Sequence, residues 1–253
     1  MLIHNVKYLN QYKELTIVTC WAIIPARGGS KGIKDKNIKL LNGKPLIQYA
    51  IDSLHEANCF DKIIVTSDSE KILSRARDCG AEAHLRLNFE ESNDIVMPDI
   101  PTISCLEGFS SKEVPDFAFM IQCTSPFITP QSYRKGFTLL QNNPESTVFA
   151  AVEAHINLWQ ESDSGHNKST WQPINHPFHE RIGRQFVKKK QVNEIGAFYG
   201  FRTSSFIEAK HRFFSYALPV FVDEDEVDDI DTMEDWALAE YKITKNLEES
   251  NEN

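Results

Sequence analysis

From Trp21 to Val152 the chain alternates short apolar, β-branched runs with segments whose apolar residues recur at helical spacing, and this alternation constrains the fold most. Strand-helix-strand units of this kind build a largely parallel sheet with helices on its faces. Residues 21–24 read as the end of a buried first strand. Gly43-Lys44-Pro45 then opens a helix, because proline is tolerated in a first turn and Leu46, Ile47, Ala50, Ile51 and Leu54 form an apolar stripe. Further strands are expected at 62–66, 82–87, 117–121 and 147–152. Helices are expected from about Ser69 to Cys79, stopped by Gly80, and at about 100–109 and 130–140.

The regularity breaks at His155. The polar stretch to about Val192 contains Gly165, Asn167 and Lys188-Lys189-Lys190 and reads as a hairpin-like or loop-rich excursion, suited to subunit contact or to a long surface loop. Strand-like runs return at 196–201 and 216–222. A C-terminal helix then carries Trp236, Ala239 and Ile243 on one face, before a frayed tail at 248–253. With no internal repeat and no Pro- or Ser-rich linker, one domain over 1–253 is expected, with 155–192 as an inserted arm.

At 41% hydrophobic and 25% charged residues the chain has enough apolar side chains for a core and lacks the signature of disorder. Its longest mostly apolar N-terminal stretch, 15–25, falls short of the roughly 20 residues that span a bilayer. No basic tip and cleavage site precede it, so an intracellular protein without membrane contact is expected. The five cysteines, Cys20, Cys59, Cys79, Cys105 and Cys123, are widely spaced with no C-x-x-C pair, which favours free thiols over disulfides or a zinc site.

The net charge of −9 is concentrated: nine acids fall between Asp223 and Asp235 with no Lys or Arg among them. Conversely, Arg27, Lys31, Lys34, Lys36, Lys39 and Lys44 face Asp35 alone. A polyanion at the basic segment and a metal at the acidic one would account for both, while nucleic acid would require a broader basic face.

Pro25-Ala26-Arg27-Gly28-Gly29-Ser30-Lys31-Gly32-Ile33-Lys34-Asp35-Lys36-Asn37 directly follows the first strand, where parallel sheets bind ligands. Its glycines permit close backbone approach, so N–H groups can turn toward phosphate oxygens with Arg27, Lys31 and Lys36 supplying positive charge. It is neither a Walker A loop nor a G-x-G-x-x-G fingerprint; the competing reading is a solvated lysine-rich loop. In Asp229-Ile230-Asp231, an extended backbone would project both carboxylates to one side, a typical partial shell for magnesium. The same residues also read as a helix cap, with Asp231 as N-cap and Glu234 three residues on.

In order along residues 18 to 245, A-R-G-G-S-K-G-I-x-x-K-N, N-G-K-P-L-I, Arg86, Gln122-x-Thr124-Ser125-Pro126, Arg184-Gln185, Gly196-Ala197-Phe198-Tyr199 and Asp229-Ile230-Asp231 together resemble the acylneuraminate cytidylyltransferases. The resemblance implies an α/β fold: a three-layer α/β/α nucleotidyltransferase architecture with a mostly parallel central sheet and a protruding dimerisation arm. It implies a cytoplasmic homodimer, with a nuclear location also open, that joins CTP to a nine-carbon keto sugar acid, giving the CMP-sugar and pyrophosphate with Mg²⁺. On this resemblance Ala26, Arg27, Gly28, Gly29, Ser30, Lys31 and Lys36 meet the triphosphate, and Asn37, Arg86 and Ser92 the cytidine. Gln122, Thr124, Ser125, Arg184, Gln185, Gly196 and Phe198 face the sugar. Asp229 and Asp231 hold the metal and, with Arg27 and Lys36, form the catalytic set.

Two positions depart from the family pattern. Leu158 stands where a basic residue meets the sugar carboxylate, and Ile195 replaces an asparagine before Gly196. Legionaminic, pseudaminic and 3-deoxy-manno-octulosonic acids are therefore alternative acceptors. A metal-dependent glycosyltransferase, through the D-x-D pattern, and a non-catalytic nucleotide-binding relative are the competing classes.

Overall fold

The computed structural model describes residues 18–29, 32–87, 96–162, 170–179, 183–186 and 190–251, without the side chains of Arg184, Leu247 and 249–251. Strands β1 (Cys20–Pro25), β4 (Lys62–Ser67), β5 (Glu82–Leu85), β6 (Phe117–Ile121), β7 (Ser146–Ala154), β10 (Gln191–Arg202) and β11 (Tyr216–Phe221) form one sheet. A short hairpin, β2 (Leu40–Leu41) and β3 (Lys44–Pro45), follows the first loop, and a second, β8 (Trp159–Ser162) and β9 (Thr170–Pro173), forms the body of the arm. The helices are α1 (Leu46–Ala57), α2 (Glu70–Asp78), α3 (Asp99–Glu107), α4 (Pro130–Asn142), α5 (Thr203–Ala209) and α6 (Met233–Asn251).

The sheet order is β11-β7-β10-β6-β1-β4-β5. All neighbours pair in parallel except β10, which runs antiparallel between β6 and β7. Because a covered sheet buries both faces, successive residues of β1 serve opposite cores, which is why its sequence is continuously apolar. Cys20, Ala22 and Ile24 join the side packed by α1, α2 and α4; Trp21 and Ile23 join the side packed by α3 and α5. Burial of the α1 stripe follows the sequence reading, and α6 lays Trp236 and Ala239 on Ile33, Leu41 and Leu46. All five cysteines are free thiols, and no described helix is long and apolar enough to cross a membrane.

Several boundaries differ from the sequence reading. The strand expected over 82–87 ends at Leu85; Arg86, which follows, is buried and still donates its N–H to Ser67 at 2.8 Å. The short helix α5, seven residues long, carries no apolar stripe in the sequence. Strand β10 begins at Gln191, five residues early, since its register slips between Glu194 and Tyr199 around Gly196, whose φ of 74° favours glycine. The last helix starts at Met233, and its cap is Thr232 with Asp235: Asp235 accepts from the Thr232 N–H at 2.8 Å and donates its own N–H to Thr232 Oγ1 at 3.2 Å. The cap therefore sits one residue beyond the Asp231–Glu234 pattern: Asp231 gives it only a main-chain N–H, at 3.1 Å from Asp235, and keeps its carboxylate outside it.

Behind the sheet, Asp99 in the first turn of α3 accepts from the Arg212 main chain at 2.8 Å and from its guanidinium. Both side chains are almost wholly buried, and the guanidinium lies 4.4 Å from the Tyr199 ring centre. Tyr199 in turn donates to Glu194 across the slip in β10. This chain of contacts ties α3 to the irregular part of the strand that borders Gln122.

Candidate active site

Four chain segments meet at the carboxyl ends of β1, β4 and β6 and ahead of α6. The loop after β1 is anchored first by its own main chain. Ala26 donates its N–H to Thr66 at 3.0 Å and accepts from Arg86 at 3.3 Å; Gly28 donates its N–H to Asp68 at 2.8 Å. Asp68 also lies 3.7 Å from the buried Arg86 guanidinium. Ala26 is therefore a buried anchor whose polar groups are spent inside the protein, whereas Arg27 and Gly28 are half-buried and Gly29 is exposed.

Further along, the turn Lys36–Ile38 docks on the acidic segment. The Lys36 ammonium donates to the Ile230 carbonyl and to Asp231, each at 2.8 Å, and its side chain is 13% exposed against 72% for Asp231. Gly32 packs so tightly on the same segment that a Cβ there would lie 2.4 Å from the Asp231 carbonyl oxygen. The Ile230 N–H donates to Thr124 at 2.9 Å, while Ile230 itself is fully buried and leaves Asp229 and Asp231 outward. Burial raises the Asp229 carboxyl above its ordinary range; a Thr124 hydrogen bond opposes this, Asp231 reinforces it and Lys36 opposes it.

The nine-acid run thus divides by role. Glu226 is buried and caps α4, accepting from the Thr129 N–H at 2.7 Å and Ser132 Oγ at 3.0 Å. Asp228 pairs with Lys242 at 2.5 Å and Asp235 caps α6. Asp229 and Asp231 face outward on the site, Asp231 paired with Lys36 and Asp229 hydrogen-bonded to Thr124. The described residues hold no cluster of three metal-ligating side chains. Two carboxylates on one side suit a hard divalent cation that completes its shell with substrate phosphates and water.

Of the remaining sequence-designated residues, Asn37 is buried, with both ends of its amide used inside the protein. Gln122 is half-buried and donates its N–H to Ala197 at 2.9 Å; the nearest atom to a Cβ on Gly196 would be Gln122 Nε2 at 3.6 Å. Thr124 is half-buried and Ser125 buried. Phe198 is fully buried, with its ring packed against Tyr133 and Phe119 in the core. Gln185 is exposed on the arm and none of the hydrogen bonds among the described residues joins it to the loop cluster. Ser30, Lys31, Ser92 and the Arg184 side chain lie outside the described residues.

Sequence reading assigned no contact role to Asp68, which binds the Gly28 N–H, or to Gly32, which packs on the Asp231 carbonyl. Asp68 follows β4 just as Arg27 follows β1, so the strand-end rule that selected one loop would have selected the other.

The chain is similar to known proteins over most of its length. The cytidylyltransferase family profile matches residues 21–161. An N-acylneuraminate cytidylyltransferase of Oncorhynchus mykiss is 32% identical over 88% of this chain and 50% of its own length, so the chain spans about half of that relative. A pseudaminic acid cytidylyltransferase of Campylobacter jejuni is 28% identical over 87% of this chain and 95% of its own. Among solved structures, a CMP:2-keto-3-deoxy-manno-octonic acid synthetase complexed with CTP superposes with a TM-score of 0.67 at 14% identity, covering 90% of this chain and 99% of that one; this likeness speaks for the fold. The matched segment contains the loop after β1, Asp68, Arg86 and Gln122 to Ser125, and the chain belongs to the cytidylyltransferase family.

Proposed function

We propose that this chain is a CTP-dependent cytidylyltransferase that activates a sialic acid, giving CMP-sialic acid and pyrophosphate. The observation that carries the reading is the meeting of the basic glycine-rich loop with the two outward carboxylates, through the Lys36 contacts to Ile230 and Asp231. A triphosphate needs cations and backbone N–H groups, and a divalent metal needs carboxylates beside them.

In the reaction the anomeric hydroxyl oxygen attacks the α-phosphorus in line. A new O–P bond forms, the bond to the bridging oxygen of the β-phosphate breaks, and the hydroxyl proton passes to solvent. Such transfers depend on positioning and charge neutralisation more than on covalent participation by the protein. Arg27 and Lys36 neutralise charge on the phosphates, with Lys36 exchanging Asp231 for a phosphate oxygen. Asp68 and Arg86 hold the loop main chain, and Gln122 and Thr124 border the acceptor side. Asp229 and Asp231 would hold Mg²⁺, which when bound screens the phosphates and polarises the α-phosphoryl group.

The arm supports a homodimer as part of the same reading. Trp159, Trp171, Phe178 and Phe186 are exposed on it, more aromatic surface than an isolated hairpin keeps in water, and a second copy would cover it. Five free thiols suit the reducing cytoplasm. A pseudaminic-type acceptor is the second reading, favoured by the near full-length Campylobacter relative and by apolar Leu158 and Ile195.

The test is pyrophosphate release with Mg²⁺, crossing the four ribonucleoside triphosphates with N-acetylneuraminic acid and the related keto acids, alongside sedimentation of the free protein. Release with CTP and N-acetylneuraminic acid is expected. Release with CTP and another acid moves the substrate, and silence throughout overturns the reading.

A further inference from the structure

Cys123 lies between Gln122 and Thr124 at the end of β6 and is 3% exposed. Its thiol donates to Asn37 Oδ1 at 3.3 Å, and Asn37 Nδ2 donates to the Arg27 carbonyl at 3.0 Å. Two hydrogen bonds therefore connect the acceptor-side loop to the main chain of the residue that supplies the triphosphate loop with its guanidinium. Each group in this relay has one available role. A carbonyl can only accept, so the amide must turn Nδ2 toward Arg27, and Oδ1 then needs a donor. Burial pushes the Cys123 thiol up to about 12, so it keeps its proton and can be that donor at any working pH.

Without the thiol, Oδ1 is left buried and unpaired, a costly state that the side chain escapes by rotating. Rotation releases the Arg27 carbonyl, and with it the main-chain course from which the Arg27 side chain projects. We propose that Cys123 is a positioning residue for nucleotide binding: through Asn37 it fixes the triphosphate loop from the acceptor side of the site. The proposal rests on the cytidylyltransferase reading only in naming CTP as the molecule whose binding reports it.

The test compares Cys123→Val, which keeps the approximate volume without a donor, with Cys123→Ser, which keeps a donor. CTP affinity is measured by calorimetry and both KM values by pyrophosphate release. Cys123→Val is expected to weaken CTP binding about tenfold and to raise KM for CTP in step, with KM for the acid changed less than twofold; Cys123→Ser recovers most of the loss. In an Asn37→Ala background, Cys123→Val adds no further loss. CTP affinity within twofold of wild type in Cys123→Val, equal losses in the Ser and Val variants, or additive losses with Asn37→Ala each overturn the proposal. If the valine variant does not fold, Cys123→Ala takes its place under the same criteria. Should the wild-type protein bind no CTP, the functional reading fails, and the brace is judged by the Asn37 side-chain amide in NMR. A shifted, faster-exchanging Nδ2 pair in Cys123→Val supports the brace, and an unchanged pair overturns it.

Discussion

Gly32→Ala adds a single methyl group at the tightest contact of the site. Its carbon would stand 2.4 Å from the Asp231 carbonyl oxygen, where ordinary contact begins at 3.4 Å. The obstacle is main chain and cannot swing aside as a side chain would, and the φ of Gly32 lies outside the left-handed region, so alanine brings no backbone strain of its own. The loop and the acidic segment must therefore part by about 1 Å, a displacement that in a positioning element costs on the order of 100-fold. The Lys36 ammonium spans that boundary with two 2.8 Å bonds, and both lengthen when it opens. In barrier terms the loss is about 2.7 kcal/mol. Gly32 is exposed and belongs to none of the apolar cores, so stability should fall by no more than about 1 kcal/mol. The assay is kcat/KM for CTP from pyrophosphate release at saturating acid, with urea unfolding of the same preparation. A kcat/KM within threefold of wild type refutes the reasoning, as does an activity loss that merely follows a loss of folded protein.

Replacing Asp231 by Asn should lower turnover at least ~100-fold, because a metal's charge stabilisation is worth several kcal/mol, while the circular dichroism spectrum is unchanged; near wild-type turnover removes the metal role. Asp229→Asn should raise the melting temperature at pH 7 in the presence of EDTA. A carboxyl whose folded pKa is raised holds protons more readily folded than unfolded, so it penalises the folded state at neutral pH, and the penalty vanishes below the ordinary value of 3.8. The advantage of the variant should accordingly shrink as the pH falls through that range, and a variant less stable than wild type at pH 7 contradicts the sign. Arg212→Met removes the cation from buried Asp99, leaving it only the main-chain N–H of position 212, and should cost about 3–5 kcal/mol in urea unfolding; a loss under about 1 kcal/mol would show that water reaches the pair.

The strands and helices were readable where one face or one stripe carries the signal. Phe117–Ile121 and the α1 stripe came through because burial on these surfaces demands apolar residues at fixed periods. Strand β10 escaped in part, since a slipped register around Gly196 breaks the period of two, and α5 is too short to show a stripe. The acidic run from 223 to 235 shows the limit for the site. As composition it is one negative segment, yet neighbouring carboxylates went to a cap on α4, an ion pair with Lys242, a cap on α6 and the outward pair Asp229 and Asp231. Which acid does which depends on the helix end or ammonium brought against it.

By itself, then, the sequence determined a parallel, helix-covered sheet, a phosphate-type loop after its first strand and a carboxylate pair near its end, because periodicity and residue chemistry are local properties. Only the tertiary structure decided that Lys36 meets Asp231 across 195 positions, that Gly32 must lack a side chain, and that Asp68, Asn37 and Cys123 brace the loop from beneath. Those are contacts between distant segments, and they exist because the strand order places the ends of β1, β4 and β6 side by side.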